Sequence, residues 1–513
     1  MNNNTPAILR ALIVYAICVP LAIWVGYLLT SVADLSSRDS LVYAGIFVLA
    51  LCIPLLLRWH HLLMVFCWNL SLIVFFLPGR PNVWLPMIVL SLGISVLQRA
   101  TNKDMRFISA PQITWPFLIL IAVVIATAKL TGGIGLRSMG SDVIGGKKYV
   151  TLLVGILGYF ALTARRIPPR QAGLYVALFF FGGAFAVVGD LVSFIPSAFS
   201  FIFLFFPPNG YAFGGAESNL RLAGLAVTSS AIFSFMLAKY GIRGIFLAGK
   251  LWRPFLFMMF SVFVLFGGFR SIVISCALLF VIQFFLEGMH RTNLLSIFMF
   301  IGVTMAVVIV PLADKLPYTF QRALAFLPLN ISSDARMDAQ SSEDWRVEIW
   351  KAELPQIPSH LLLGKGYALT EADLASTGGP FRAMSAADLG SAVAGDYHSG
   401  PLSVIIPFGI WGVLALFWLM FAGARALYNN YRNGDPALRT VNCLLFASLL
   451  TNIFCFFFIF GGLENETQTL AGLFGLSVAL NGGICRAPAK PAAKTTAKTV
   501  VPMRPRLHPV MQR

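Results

Sequence analysis

PFLFMMFSVFVLFGGFRSIVISCALLFVIQFFL, residues Pro254–Leu286, carries a single charge, Arg270. A helix that crosses a bilayer needs about 17–25 mostly apolar residues. The stretch therefore reads as two closely spaced spans, near 254–269 and 271–287, that meet at Gly267–Arg270. The same test applied outward finds fourteen candidate runs, the others near 8–30, 41–57, 61–78, 83–98, 114–131, 149–164, 172–190, 222–241, 294–313, 400–427, 439–461 and 466–483. Composition agrees: 58% of the 513 residues are hydrophobic and 12% are charged, about half the charged share of a soluble domain. Mean hydropathy is +0.79, which excludes a water-soluble globule and a disordered chain. The predicted fold class is an all-α polytopic membrane protein with about 12–14 transmembrane helices.

The net charge of +17 would suggest nucleic acid in a soluble protein. Its distribution points to the bilayer instead. With the N-terminus inside, the connections Arg58–His61, Arg99–Arg106, Arg165–Arg170, Arg243–Arg253, His290–Arg291 and Arg425–Arg439 fall in the cytoplasm, and each holds arginine. This is the bias that the positive-inside rule describes. The tail 486–513 adds seven Lys/Arg and no acid, and its Ala/Lys/Pro/Thr composition reads as disordered. Both termini are expected in the cytoplasm, with membrane lipids and not nucleic acid as partners. The first run is too long for a signal-peptide core and reads as a retained helix. The seven cysteines lack metal-ligand spacing, so neither a zinc site nor a disulfide framework is expected.

Four parts follow: a helix bundle over 1–313, a loop over 314–398, further membrane helices over 399–485, and the basic tail. The loop holds 11 of the 21 acids against 7 Lys/Arg, and loops of that length are usually functional. Within it, Ser342–Glu353 predicts a short helix with Ser342 as N-cap and Pro355 limiting its end. Trp345, Ile349 and Ala352 form its apolar face, with Arg346 and Trp350 one turn apart beside it. Phe194–Pro208 is apolar, fenced by prolines and too short to span. It reads as a re-entrant or interfacial element, or equally as a packed plug. Glu464 and Glu466 read as solvated residues of an outward turn.

Nucleotide-binding P-loop, metalloprotease, serine-hydrolase and dinucleotide-binding signatures are all absent. What stands out is a set of groups on one membrane face: Arg221 and Arg270 at helix heads, Arg346 on the loop helix, and His398 where the chain re-enters the bilayer. Guanidinium groups grip phosphate oxygens bidentately, and several around a diphosphate stabilise charge as it departs. A histidine, with an ordinary pKa near 6.5, takes a proton from a hydroxyl at neutral pH. The set suits transfer from a lipid diphosphate to a sugar hydroxyl, with no metal or cofactor expected. Other readings stand beside it. Arg221 alone reads first as a snorkelling anchor, and Lys147 and Lys148 read either as a phosphate-attracting rim or as interfacial lysines. A transporter or flippase is the rival from another class, but it calls for charge near mid-membrane, where these spans are nearly free of Asp, Glu and Lys.

The order of the pieces resembles the O-antigen ligase/polymerase superfamily of bacterial membrane glycosyltransferases. The matching features are Arg221 with Gly224, Arg270 heading a helix, Arg346 four residues before Trp350, Pro358 followed by Leu-Leu-Leu-Gly-Lys-Gly-Tyr (361–367), and His398 closing the loop. They cover roughly residues 210–480. One position departs: Ser399 follows the histidine where many relatives carry Asn. The resemblance implies a GT-C-like fold in the bacterial inner membrane, a large periplasmic loop, and metal-independent transfer at the periplasmic face. It also implies an undecaprenyl-diphosphate-linked glycan as donor and a glycan or the lipid A-core as acceptor. Arg270, Arg346 and His398 are then the catalytic residues, with Arg221, Trp350, Lys147 and Lys148 binding substrate. Ligase, polymerase and protein O-oligosaccharyltransferase all remain open, with ligase preferred.

Overall fold

Inside a bilayer every backbone N–H and C=O must be satisfied within the protein, so apolar runs of this length fold as helices. A computed structural model of the protein describes residues 53–102, 106–135, 145–208, 221–368 and 397–486. The N-terminal runs 8–30 and 41–52 and the basic tail from 487 lie outside the described residues. The helices are α1 (Ile53–Cys67), α2 (Trp84–Thr101), α3 (Pro111–Thr131), α4 (Gly146–Thr163), α5 (Ala172–Phe181), α6 (Ala223–Phe246), α7 (Trp252–Phe263), α8 (Arg270–Leu286), α9 (Leu294–Ile309), α10 (Tyr318–Ala323), α11 (Ser333–Glu353), α12 (Leu402–Asn433), α13 (Arg439–Phe458) and α14 (Leu463–Asn481). Among the described residues six helical stretches are long and apolar enough to cross a membrane, and four shorter apolar helices accompany them. The protein is an all-α polytopic membrane protein.

The core runs through α1–α8 and α12–α14. α14 lies along α4, α12 along α3, and α8 against α13. Fully buried Trp68, Phe117, Tyr159, Phe408, Phe456 and Phe474 fill the seams. α12 breaks where Pro407 lacks an amide hydrogen and Gly409 takes φ 60°. A Cβ on Gly409 would stand 2.5 Å from the Leu361 carbonyl. The freed groups are met by the loop: Lys365 N donates to Ile406 O (2.8 Å), Gly366 N to Pro407 O (2.9 Å), and Ile410 N to Leu361 O (2.7 Å). The Leu361–Tyr367 segment is thus stitched into the broken helix.

The structure differs from the sequence reading in three places. Arg58–His61 is not a connection; it lies inside α1, where His60 hydrogen-bonds Ser91 Oγ (2.9 Å) and His61 Nε2 donates to Leu162 O (3.0 Å). The run 61–78 is no single span, because helix ends at Cys67 and the chain then turns, with an isolated bridge from Ile73 to Asn82. The loop helix begins at Ser333, not Ser342. Its cap is Ser332, whose hydroxyl accepts from Ala335 N (3.4 Å). In the apolar segment 194–208, Ser197–Leu204 forms a 3-10 helix with Phe199 and Phe201 exposed.

Candidate functional site

The apolar helices α7 and α8 meet at the Gly267-Gly268 turn, within the Gly267–Arg270 junction expected from the opening stretch. Gly268 takes φ 65°, a conformation that costs other residues about 1–2 kcal/mol. A Cβ on Gly267 would lie 2.6 Å from Ala226. The turn presents its carbonyls to two arginines: Arg221 Nε donates to Gly267 O (3.2 Å), and Arg322 Nη1 donates to Gly268 O (2.9 Å). Arg221 also lies over the Phe269 ring, 4.5 Å from its centroid. Behind it, the buried Asp190 carboxylate accepts from Gly224 N (3.0 Å) and Leu225 N (2.6 Å), which caps the amide-rich start of α6.

Helix α11 supplies the opposite wall. Arg270 binds Glu343 and donates from Nη2 to Ala339 O (3.1 Å). Arg322, only 8% exposed, donates to Asp338 Oδ2 (2.5 Å) and Ser342 Oγ (3.3 Å). Tyr318 OH donates to the same Asp338 oxygen (2.9 Å). Burial pushes the Asp338 carboxyl up, but Arg322, Tyr318 and Arg221 outweigh it and hold the pKa below the ordinary carboxylate value. Arg346 lies one turn beyond Ser342. Burial first, and then the neighbouring Arg270, lower its pKa, against the pull of Glu343. Its Nε is buried and has no hydrogen-bond partner among the described residues. Four guanidinium groups (Arg221, Arg270, Arg322, Arg346) therefore gather around the carboxylates of Asp338 and Glu343. Because arginine stays charged at any working pH, such a cluster is suited to an anion.

His398 joins this wall through the same helix. Its backbone takes φ 47°, uncommon outside glycine though least so for Asn, Asp and His. Its ring sits between Trp345 (4.6 Å between centroids) and Phe460 (5.1 Å). Trp350 Nε1 donates to the carbonyl of Tyr397 (3.0 Å), and Ile349, Tyr397, Leu402 and Ile406 pack together beneath. After it, Ser403 Oγ donates to Gly400 O (2.6 Å) and accepts from Leu463 N (3.0 Å). Helix α11 thus carries Arg346, anchors Arg270, and positions the His398 turn.

Of the residues expected from sequence, Arg221, Arg270, Arg346, Trp350 and His398 come together here. Lys147 and Lys148 do not join them: Lys147 is exposed at the head of α4, while Lys148 pairs with Glu464 (3.4 Å) and lies over the Tyr367 ring. Arg322, Asp338, Tyr318 and Asp190 escaped the sequence reading. Only Asp190, a lone acid within an apolar run, left a signal. Glu466 is buried rather than solvated, and accepts from Asn452 Nδ2 through both oxygens (2.8 and 2.9 Å).

Fold and site together define a polytopic membrane protein with an arginine cluster where the polar helix α11 meets the turn between two apolar helices. Residues 254–417 match the family model described as O-antigen ligase. The match includes Arg270, Arg346 and His398, and it supports the O-antigen ligase superfamily for this part of the chain. No curated protein matches the chain.

Proposed function

We propose that the protein is a membrane glycosyltransferase of GT-C-like fold that moves a glycan from an undecaprenyl-diphosphate carrier onto an acceptor hydroxyl at the periplasmic face of the inner membrane. The observation that carries this reading is Arg346: a half-buried guanidinium whose buried Nε has no hydrogen-bond partner among the described residues, beside Arg270 in a cluster of four arginines. A diphosphate linked at both ends bears two negative charges and offers the acceptor oxygens that this cluster lacks. Arg270 and Arg346 hold it, and Arg221 supports it. His398 removes the proton of the acceptor hydroxyl as its oxygen bonds to the anomeric carbon. The bond from that carbon to the phosphate oxygen breaks in the same step, and the electron pair leaves on the diphosphate, where the guanidinium groups stabilise it. Trp350 acts through the Tyr397 carbonyl, as a positioning residue for His398.

The acceptor is a glycan, with the lipid A-core preferred; polymerisation onto a second donor and transfer to protein hydroxyls share the same donor half. In this reading residues 314–398 form a periplasmic loop between the bundle 1–313 and the helices 399–485, and the tail 486–513 is cytoplasmic. The test is glycan transfer by purified protein from an undecaprenyl-diphosphate-linked glycan to candidate acceptors. His398→Ala, Arg270→Ala and Arg346→Ala should each abolish it, and full transfer by all three would refute the proposal. A reporter fused near residue 360 should report the periplasm, and a cytoplasmic signal would equally refute it.

A further inference from the structure

The far end of α12 carries a second basic site that the transfer chemistry does not use. Arg425 lies on the same helix as Leu402, beside the His398 turn, but about 34 Å further along at 1.5 Å per residue. There α12 and the start of α3 enclose a groove of about 770 Å³. Trp418, Phe421, Arg425 and Asn429 follow one another at helical spacing down its wall, so a single stripe passes from apolar to charged. Across it, Gln112 and Trp115 of α3 repeat the order, one turn apart, and Arg486 closes the charged end. The aromatic rings are uncovered: Trp115 is 59% exposed, Trp418 48% and Phe421 71%. Neither Arg425 nor Arg486 forms a salt bridge among the described residues.

This axial order matches one lipid molecule. Tryptophan favours the level of the bilayer where chains meet headgroups, and two arginines a little beyond it stand at phosphate height. We propose that the groove binds one anionic glycerophospholipid, its phosphate held by Arg425 and Arg486 and its acyl chains against Trp418, Phe421 and Trp115. On the topology proposed above it belongs to the cytoplasmic leaflet, where anionic lipids meet basic pockets between helices. A second cleft contrasts with it. That cleft holds Arg243 and Arg439 but also Glu287, whose carboxylate accepts from Ile242 N and Arg243 N (both 3.1 Å) and would repel a phosphate.

Native mass spectrometry of the full-length protein released from detergent tests this, with phosphatidylglycerol, phosphatidylcholine and inorganic phosphate as probes. The wild type should retain one phosphatidylglycerol under activation that strips phosphatidylcholine. Arg425→Gln/Arg486→Gln should lower that retention about 30-fold, at roughly fivefold per arginine. Arg425→Lys/Arg486→Lys, which keeps the charge, and Arg243→Gln/Arg439→Gln, in the other cleft, should retain the lipid. Should the double glutamine variant not purify, Arg425→Gln alone should show about a fivefold loss. Equal retention of the two lipids, unchanged retention in the glutamine variants, displacement by equimolar inorganic phosphate, or a second copy of the chain occupying the groove would each overturn the proposal.

Discussion

Replacing Arg322 with alanine should undock helix α11 without unfolding the membrane bundle. Arg322 ties α11 to the turn before Arg270: it donates to Asp338 and Ser342 on α11 and to the Gly268 carbonyl. A hydrogen bond between charged groups is worth about 1.5–3 kcal/mol, but Asp338 is 39% exposed, which reduces this one to about 1–2. The Gly268 bond adds about 1 kcal/mol, and the long Ser342 contact less. The loss, about 3 kcal/mol, falls on the docking of α11 and corresponds to about 100-fold in its opening equilibrium. Hydrogen–deuterium exchange read by mass spectrometry should show residues 333–353 exchanging about 100-fold faster, with α13 and α14 unchanged. Arg322→Lys should fall between, since an ammonium cannot reach three acceptors in a fixed fork. In a double-mutant cycle with Asp338→Ala the two losses should be less than additive by about 1–2 kcal/mol. Unchanged exchange over 333–353, or strict additivity, would refute the role assigned to Arg322.

Three further outcomes follow from the same contacts. Glu343, more than half exposed, occupies Arg270 in the absence of donor; Glu343→Gln should lower the donor KM by up to about fivefold, the range of an exposed ion pair, and a raised KM would contradict this competition. The Asp338 pKa lies below its unfolded value of about 3.9, so its contribution is complete above that pH and is lost as pH falls through the lower, folded value; limited proteolysis between pH 5 and 2.5 should cut α11 faster as acid is added, and Asp338→Asn should remove the acid dependence. Trp350→Phe keeps the ring but removes the donor to Tyr397, and steady-state kinetics should show kcat falling by up to about tenfold with the donor KM unchanged.

How much of this was legible in sequence depended on whether a residue's partner lay nearby in the chain. Arg270 stood out because it interrupts two apolar runs, and the structure places it at the turn where they meet. Arg346 and Trp350 were readable as a helical pair, and His398 by its position at the loop's end. The start of α11 was not, because Ser342 resembles a cap as well as Ser332 does; what decides is that Ala335 and Ala339, ahead of Ser342, are buried in the fold. Arg322 looked like any loop arginine, since its acceptors come from residues 268 and 338. His60 and His61 resembled a polar connection, yet a histidine with a fixed acceptor is accommodated inside a helix, as their bonds to Ser91 and Leu162 show. Glu466 misled for the same reason, its partner Asn452 being on the preceding helix.

The central claim is a division of labour: the arginines bind the lipid diphosphate and His398 acts only on the acceptor. Equilibrium binding of an undecaprenyl-diphosphate-linked glycan to the Arg346→Ala and His398→Ala proteins, measured beside single-turnover transfer, separates the two. Arg346→Ala should bind donor at least about tenfold more weakly, the loss expected for a charged hydrogen bond, and His398→Ala should bind it as the wild type does while transferring nothing. Wild-type donor affinity in Arg346→Ala, or wild-type transfer by His398→Ala, would contradict the account.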